Sequence, residues 1–185
     1  MKAILISGSP RKNGNTVAII SEIERGLKDQ GFETKQLILH ELDINYCVGC
    51  KSCYKTGACV HNDDVAFVVQ EIFEAQLVIV ASPSYWGNVT AQLKTFIDRC
   101  TPYCDTNSER KLILEKTKGA AVAVRAGGRK EENENLVNTI EHFLGHLEIP
   151  LVSSFTVERI DTIEDLEKRP EVLEEAYLFG NTIVL

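Results

Sequence analysis

The chain lacks the features of a membrane protein or a nucleic-acid-binding protein. No apolar run in its 185 residues approaches the roughly 20 residues of a membrane-spanning helix. Basic residues number 20 against 27 acidic ones, and no basic stretch is long enough to suggest nucleic acid. The first residues show no signal-peptide pattern, because their apolar run is short and leads into Ser-Gly-Ser-Pro-Arg. We therefore expect a cytoplasmic protein without a membrane or nucleic-acid partner.

Two common nucleotide-binding motifs are also missing. Gly8 is followed by Ser9 and Pro10, which does not fit G-x-G-x-x-G, and the Gly-Lys-Ser/Thr of a Walker loop does not occur. Internal repeats, low-complexity tracts and an interdomain linker are absent as well. A chain of this length suits one domain, so we expect residues 1–185 to fold as a single unit.

The first notable stretch is Met1–Thr16, with the sequence MKAILISGSPRKNGNT. An apolar run passes through a polar loop into a helical pattern, and the backbone N–H groups and dipole at a helix start favour an anion. The candidate phosphate ligands are the side chains of Ser7, Ser9, Arg11, Asn15 and Thr16. An ordinary loop between a strand and a helix, built from turn residues, remains the alternative.

Beyond this stretch, apolar runs alternate with helical patterns. Further strands are predicted at Glu33–Leu39, Leu77–Ala81, Gly119–Val124 and Leu151–Val157. Helices are predicted at Thr16–Gln30, Asp63–Gln76, Val89–Cys100, Glu131–Leu147 and Glu164–Thr182, the last broken near Pro170. Thr101–Thr117 is ambiguous, with a short helical or strand piece at Lys111–Glu115. The alternation predicts an α/β, flavodoxin-like three-layer sandwich with a five-stranded parallel sheet in the order 2-1-3-4-5.

In that topology ligands bind at the carboxyl ends of the strands, where three loops meet. The second of these loops, Ser82–Asn88, reads SPSYWGN and offers two aromatic side chains. Such a loop can flank a flavin ring, although Tyr85 and Trp86 can equally be core or interface aromatics. The third loop is Ala126–Arg129.

Three segments resemble the flavodoxin-like NADPH-dependent FMN reductases. GSPR followed by GNT resembles their FMN-phosphate loop, and SPSYWGN with QLKTFIDR resembles their flavin-ring loop and the helix after it. The resemblance covers nearly the whole chain and implies FMN as cofactor and NAD(P)H as a possible electron donor. It implies FMN-binding roles for Ser9, Arg11, Asn13, Asn15 and Thr16 (phosphate), Pro83, Ser84, Tyr85, Trp86, Gly87 and Asn88 (ring), and, in a less closely matching loop, Gly127 and Gly128. The cofactor performs the difficult chemistry, so no catalytic side chain is predicted.

The segment at about 41–64, here called the cysteine loop, shows no periodicity and holds four of the six cysteines. Cys47, Cys50, Cys53 and Cys59 form C-x2-C-x2-C-x5-C. One four-iron cluster is the economical interpretation. Zinc usually takes two separated pairs of ligands, and free or air-oxidised thiols are the third possibility. The spacing resembles that of the iron-sulfur flavoproteins, a branch of the same family, which implies a [4Fe-4S] cluster.

These observations predict an FMN-binding oxidoreductase that passes electrons through a cluster to a small-molecule or protein redox partner. A plain NAD(P)H-dependent FMN or quinone reductase without a cluster is one alternative. A flavin- or zinc-binding regulatory module without turnover is another. Members of the family are typically dimers or tetramers, which implies a homodimer or homotetramer. Neither the physiological electron donor nor the acceptor can be read from the residues.

Overall fold

The protein forms a five-stranded parallel sheet with helices on both faces. The structure is a computed structural model that describes residues 1–110 and 117–183. Its strands are β1 Lys2–Ser7, β2 Glu33–Ile38, β3 Leu77–Pro83, β4 Lys118–Val124 and β5 Leu151–Val157. Its helices are α1 Asn15–Asp29, α2 Cys53–Thr56, α3 Val65–Glu74, α4 Ala91–Arg99, α5 Lys130–His146, α6 Ile163–Glu167 and α7 Pro170–Thr182. The strand order β2-β1-β3-β4-β5 confirms the predicted flavodoxin-like topology.

The three central strands are buried on both faces of the sheet. Their apolar residues alternate between two cores, which is why β1, β3 and β4 read as continuous apolar runs. One core lies under α3, α4 and α5, and the other under α1 and α7. The carboxyl ends of β1, β3 and β4 lie side by side at one edge of the sheet, so the loops that follow these strands lie close together.

Helices α1 and α7 approach each other through a pair of glycines. A Cβ atom at Gly26 would lie 2.2 Å from the backbone oxygen of Tyr177, and one at Gly180 would lie 2.1 Å from that of Ile23. Neither distance is possible between real atoms, so both positions require glycine for the two backbones to touch.

Several element ends differ from the sequence-based prediction. Strand β3 continues two residues further, because Ser82 and Pro83 pair with the end of β4. The cysteine loop was expected to be irregular, yet it contains the short helix α2. The predicted break at Pro170 is confirmed, since that residue begins α7. The piece predicted at Lys111–Glu115 lies outside the described residues. Among the helices described, none combines the length and apolarity needed to cross a bilayer.

Candidate functional site

A cavity opens at the carboxyl edge of the sheet, where the three predicted loops meet. The cavity is lined by residues of the loop after β1, the loop after β3, the end of β4 and the segment after β5. The lining residues are Ser9, Arg11, Gly14, Asn15, Thr16, Pro83, Ser84, Tyr85, Val124, Arg125, Ala126, Ile160 and Asp161. The topology thus brings together seven of the predicted cofactor-binding residues.

The amino end of α1 is open toward this cavity. Its N-cap is Gly14, which has no side chain to cap the helix, and no acidic residue lies in the first turn. Within the described residues, the backbone N–H groups of Asn15 and Thr16 donate to no protein acceptor. The amide oxygen of Asn15 is also buried without a hydrogen-bond partner. The free N–H groups and the helix dipole make the end of α1 suited to an anion such as a phosphate.

Two hydroxyl groups fix the conformation of this loop. The Thr90 hydroxyl donates to the carbonyl oxygen of Gly8 at 2.6 Å and accepts from the N–H of Leu93, so it joins the loop to the start of α4. The Ser9 hydroxyl accepts from the N–H of Arg11 at 3.1 Å. The loop is therefore held in place from within and from α4.

Ser7, which was also predicted as a phosphate ligand, is not among the residues that line the cavity. It ends β1, is fully buried, and its hydroxyl accepts from the N–H of Ser9 at 3.3 Å. The strand continues one residue further than its apolar run because Ser7 still pairs with β2 and β3.

The loop after β3 ends in a two-residue turn that presents an aromatic side chain. Tyr85 and Asn88 exchange backbone hydrogen bonds across Trp86 and Gly87. Both central residues have positive φ, +56° at Trp86 and +73° at Gly87, as in the tight turns of hairpins. A positive φ is strained for tryptophan, and its indole is fully exposed. At the base of the loop, the Ser84 hydroxyl donates to Glu132 at 3.0 Å.

The remaining predicted residues lie around the cavity rather than in it. Trp86, Gly87 and Gly127 line an adjoining depression. Asn13 is exposed on the loop, and Asn88 faces a separate groove beside α5. Gly128 lies against the guanidinium of Arg159, whose Nη2 would be 3.4 Å from a Cβ atom at that glycine.

The ends of the cysteine loop are joined by a buried ion pair. Arg99 of α4 donates through Nη1 and Nη2 to both carboxylate oxygens of Asp63, and Nη1 also donates to the carbonyl oxygen of Asn45. Asp63 in turn accepts from the N–H of Asn45 at 3.1 Å. The two side chains are 1% and 2% exposed. Burial alone would raise the pKa of Asp63, but hydrogen bonds from Arg99 and two backbone N–H groups lower it to about 2.

The four predicted metal ligands line one small cavity beside this pair. Cys47 and Cys50 are exposed, whereas Cys53 and Cys59 are half-buried, and none of the four forms a disulfide. Burial raises the pKa of the Cys53 thiol, and its cysteine neighbours act in the same direction. Within residues 1–110 and 117–183, no three Cys, His, Asp or Glu side chains converge closely enough to hold a single metal ion.

Cys100 and Cys104 lie apart from this set. Cys100 is buried in the core under α4, and burial raises the pKa of its thiol. Cys104 is half-buried, and its sulfur lies 3.1 Å from the hydroxyl of Thr106. Neither lines the cavity that the other four cysteines share.

A family model described as NADPH-dependent FMN reductase matches residues 1–159. The chain belongs to this family. A curated relative named iron-sulfur flavoprotein, from Archaeoglobus fulgidus, is 39% identical over 140 residues, which are 76% of this chain and 62% of that protein. A second iron-sulfur flavoprotein, from Methanocaldococcus jannaschii, is 37% identical over 143 residues, 77% of this chain and 71% of its own length. The chain thus spans less than two thirds of the length of the Archaeoglobus protein and 71% of the length of the Methanocaldococcus protein.

Solved structures share the fold of this family member at low sequence identity. An azoreductase from Bacillus anthracis has a TM-score of 0.74 at 19% identity, with 99% of this chain and 100% of that one covered. An NAD(P)H:quinone oxidoreductase from Methanothermobacter marburgensis also has a TM-score of 0.74, at 14% identity, covering 97% and 94%. At these identities the likeness shows the fold alone.

Two arginines near the sites were missed by the sequence analysis. Arg125 follows β4 directly, is 1% exposed and pairs with Glu158. Its Nε and Nη1 are buried without a partner in the described part of the chain, and the residue lines the mouth cavity. Arg99 stands three residues after Phe96 on the buried side of α4. The signal for each was a charged residue at a position that the apolar pattern marks as buried.

Proposed function

We propose that the protein is an FMN-dependent oxidoreductase that takes electrons from NAD(P)H and passes them through an iron-sulfur cluster to a small-molecule or protein acceptor. The observation that carries the FMN assignment is the open amino end of α1 at a cavity shared by three loops. The family match and the names of the curated relatives support the same assignment.

The residues at the mouth fit the two ends of FMN. The free N–H groups of Asn15 and Thr16, with the Arg11 guanidinium, would hold the phosphate by charge-assisted hydrogen bonds. Tyr85 and Trp86 would flank the ring and keep water from one of its faces. When bound, FMN supplies two-electron exchange with a nicotinamide and one-electron exchange with a metal centre.

The cysteine loop fits a cluster in its donor set. Four free thiols line one cavity. Nε of Arg99 and Nε2 of His61, in residues of the same cavity, are buried and have no hydrogen-bond partner among the described residues. Thiolates are the ligands that iron-sulfur clusters require, and N–H groups beside them stabilise the negative charge. In this proposal Cys47, Cys50, Cys53 and Cys59 would hold one [4Fe-4S] cluster.

One experiment tests the cofactor content directly. The protein is purified without oxygen, and flavin, iron, sulfide and zinc are assayed on the same sample. We expect about one FMN per chain, identified by mass, with about four irons and four sulfides. Recovery of mostly FAD would contradict the FMN assignment. FMN without iron would leave the alternative of a plain reductase, and steady NAD(P)H consumption with an artificial acceptor would separate that alternative from a non-catalytic module.

Single serine substitutions test the ligand set. Cys47→Ser, Cys50→Ser, Cys53→Ser and Cys59→Ser should each lose iron and sulfide, because a hydroxyl is a poor ligand for iron in place of a thiolate. FMN should remain, since its phosphate loop lies on another segment, while transfer to one-electron acceptors should slow. Cys104→Ser is the matched control and should retain both cofactors. If all five variants match the wild type in iron content, the cysteine loop does not hold a cluster.

A further inference from the structure

The cysteine loop is closed at its neck by a set of hydrogen bonds, and one arginine donates three of them. Asn45 lies before the first cysteine of the motif and Asp63 after the last, and Arg99 binds both of them. Next to this contact, the N–H of Asp64 donates to the carbonyl oxygen of Asp43 at 2.9 Å. Further out, the Asn107 amide donates to the carbonyl oxygen of Cys53 at 3.3 Å. Arg99 therefore joins the two ends of the cysteine loop from α4.

The guanidinium has donors left after closing the neck. Nη1 and Nη2 serve Asp63 and Asn45, but Nε is buried and has no partner among the described residues. Arg99 and Cys59 line the same cavity, and Asp63 does not. The ion pair is thus oriented with its positive end toward the cysteines.

This orientation matters because a thiolate-bound cluster is negatively charged and gains a further negative charge on reduction. A positive charge near the cluster stabilises the reduced state more than the oxidised state. Hydrogen bonds to the ligating sulfurs act in the same direction. A buried charge is little screened by salt, so its effect persists at ordinary ionic strength.

We propose that Arg99 is a positioning residue for the iron-sulfur cluster, which closes the cysteine loop through Asp63 and Asn45 and raises the reduction potential by turning its charge toward Cys59. Asp63 fixes the guanidinium and partly offsets that charge. The inference rests on the proposed function, because it requires a cluster in the cysteine loop.

Three variants and a control test the proposal. Arg99→Met removes the charge and all donors at similar length, and Arg99→Lys keeps the charge without the planar fork. Asp63→Asn removes the opposing negative charge. Arg25→Met is the control, since Arg25 forms an exposed ion pair with Glu22 on α1. Each protein is purified without oxygen, iron, sulfide and FMN are assayed, and the midpoint potential of the cluster is measured by redox titration.

We expect the potential to fall in Arg99→Met, to lie closer to the wild type in Arg99→Lys, and to rise in Asp63→Asn. A fall of the potential in Arg99→Met and a rise in Asp63→Asn would indicate an electrostatic role, because a loosened fold would shift the potential of both variants in the same direction. Should Arg99→Met retain too little iron to titrate, Asp63→Asn decides: a rise supports the proposal and any other result overturns it. Unmoved potentials in iron-containing variants overturn the role of Arg99 alone. A wild type without iron overturns the cluster assignment and this inference with it.

Discussion

Asp63 and Arg99 show what burying a charged side chain requires in this protein. The carboxylate accepts from the guanidinium and from backbone N–H groups, and the guanidinium also donates to a carbonyl oxygen. Such a hydrogen-bonded ion pair persists because removing either partner would leave the other charge buried and alone. Stability should therefore depend on the ionisation of Asp63.

The first prediction follows from the low pKa of Asp63. Because this pKa is about 2 in the folded protein against an ordinary 3.8, the carboxylate stabilises the fold above pH 4 and loses this contribution between about pH 4 and pH 2. The free energy of unfolding decreases by about 2 kcal/mol over this pH range. In urea unfolding, Asp63→Asn should be less stable than the wild type by roughly 3–5 kcal/mol at pH 6, and the difference should shrink as the pH falls. Glu22→Gln, which breaks an exposed pair, should show a small difference throughout.

The second prediction concerns the phosphate end of the mouth cavity. Arg11→Ala and Thr16→Ala should each weaken FMN binding by about 1–3 kcal/mol, which is roughly 5- to 150-fold in Kd, because each removes a hydrogen-bond donor from the cavity. Lys12→Ala is the control, since that side chain is exposed on the same loop and pairs with Glu41. The measurement is flavin titration of the apoprotein. If all three variants bind FMN with equal affinity, the phosphate does not bind at this end of the cavity.

Single residues were predictable where the signal is local. The polar loop after β1 reveals Ser9, Arg11 and Thr16 by composition and by its place between a strand and a helix. The apolar pattern marks Arg99 and Arg125 as buried, but their partners, 36 and 33 positions away along the chain, were not predictable. Local patterns carry no information on such pairs.

At the scale of elements, the packing of α1 on α7 depends on two glycines, which have no side chain to separate the helices. Gly26 and Gly180 let the helix backbones touch, and neither helix could otherwise sit as close to the same face of the sheet. A glycine inside a helix ordinarily costs about 0.5–1 kcal/mol relative to alanine. The close packing must offset this cost.

The third prediction compares two helical glycines. Gly26→Ala should destabilise the protein by about 1–3 kcal/mol, because its Cβ atom would overlap the backbone of α7. Gly145→Ala in α5 should instead stabilise it by about 0.5–1 kcal/mol, since no described residue lies within 4 Å of the added atom. Thermal or urea unfolding measures both. Two variants of equal stability would contradict the packing of α1 against α7.

The elements themselves could be predicted because their signals are strong. Buried parallel strands appear as apolar runs, and the longer helices have a buried stripe at the expected spacing. The end of β3 could not be predicted, since Ser82 and Pro83 resemble loop residues and extend the strand only by pairing with β4. Helix α2 was missed for a similar reason, as its four residues are too few to show a period.

The exposed apolar side chains are unevenly distributed over the surface of the whole molecule. Four of them, Tyr46, Val48, Tyr54 and Val60, lie on the cysteine loop, which contributes little to either core. An exposed apolar set on one loop is typical of an interface. We propose that a second copy of the chain covers it.

The fourth prediction is therefore a homodimer or homotetramer in sedimentation at micromolar concentration. Val48→Asp and Val60→Asp should shift the protein toward monomer, because a charge at an apolar interface is costly to bury. Val152→Asp, an exposed valine on β5, should leave the state unchanged. A wild type that sediments only as monomer would count against the interface.

Trp86 gives the molecule a built-in optical probe. It is the chain's only tryptophan, it stands fully exposed at the tip of the loop after β3, and it borders the mouth cavity. All indole fluorescence of the protein therefore originates from one turn at the candidate flavin site. Loading the apoprotein with FMN should quench this emission and shift it to shorter wavelength. Trp86→Phe would leave the protein without that signal, and unchanged emission on loading would place the flavin away from the loop.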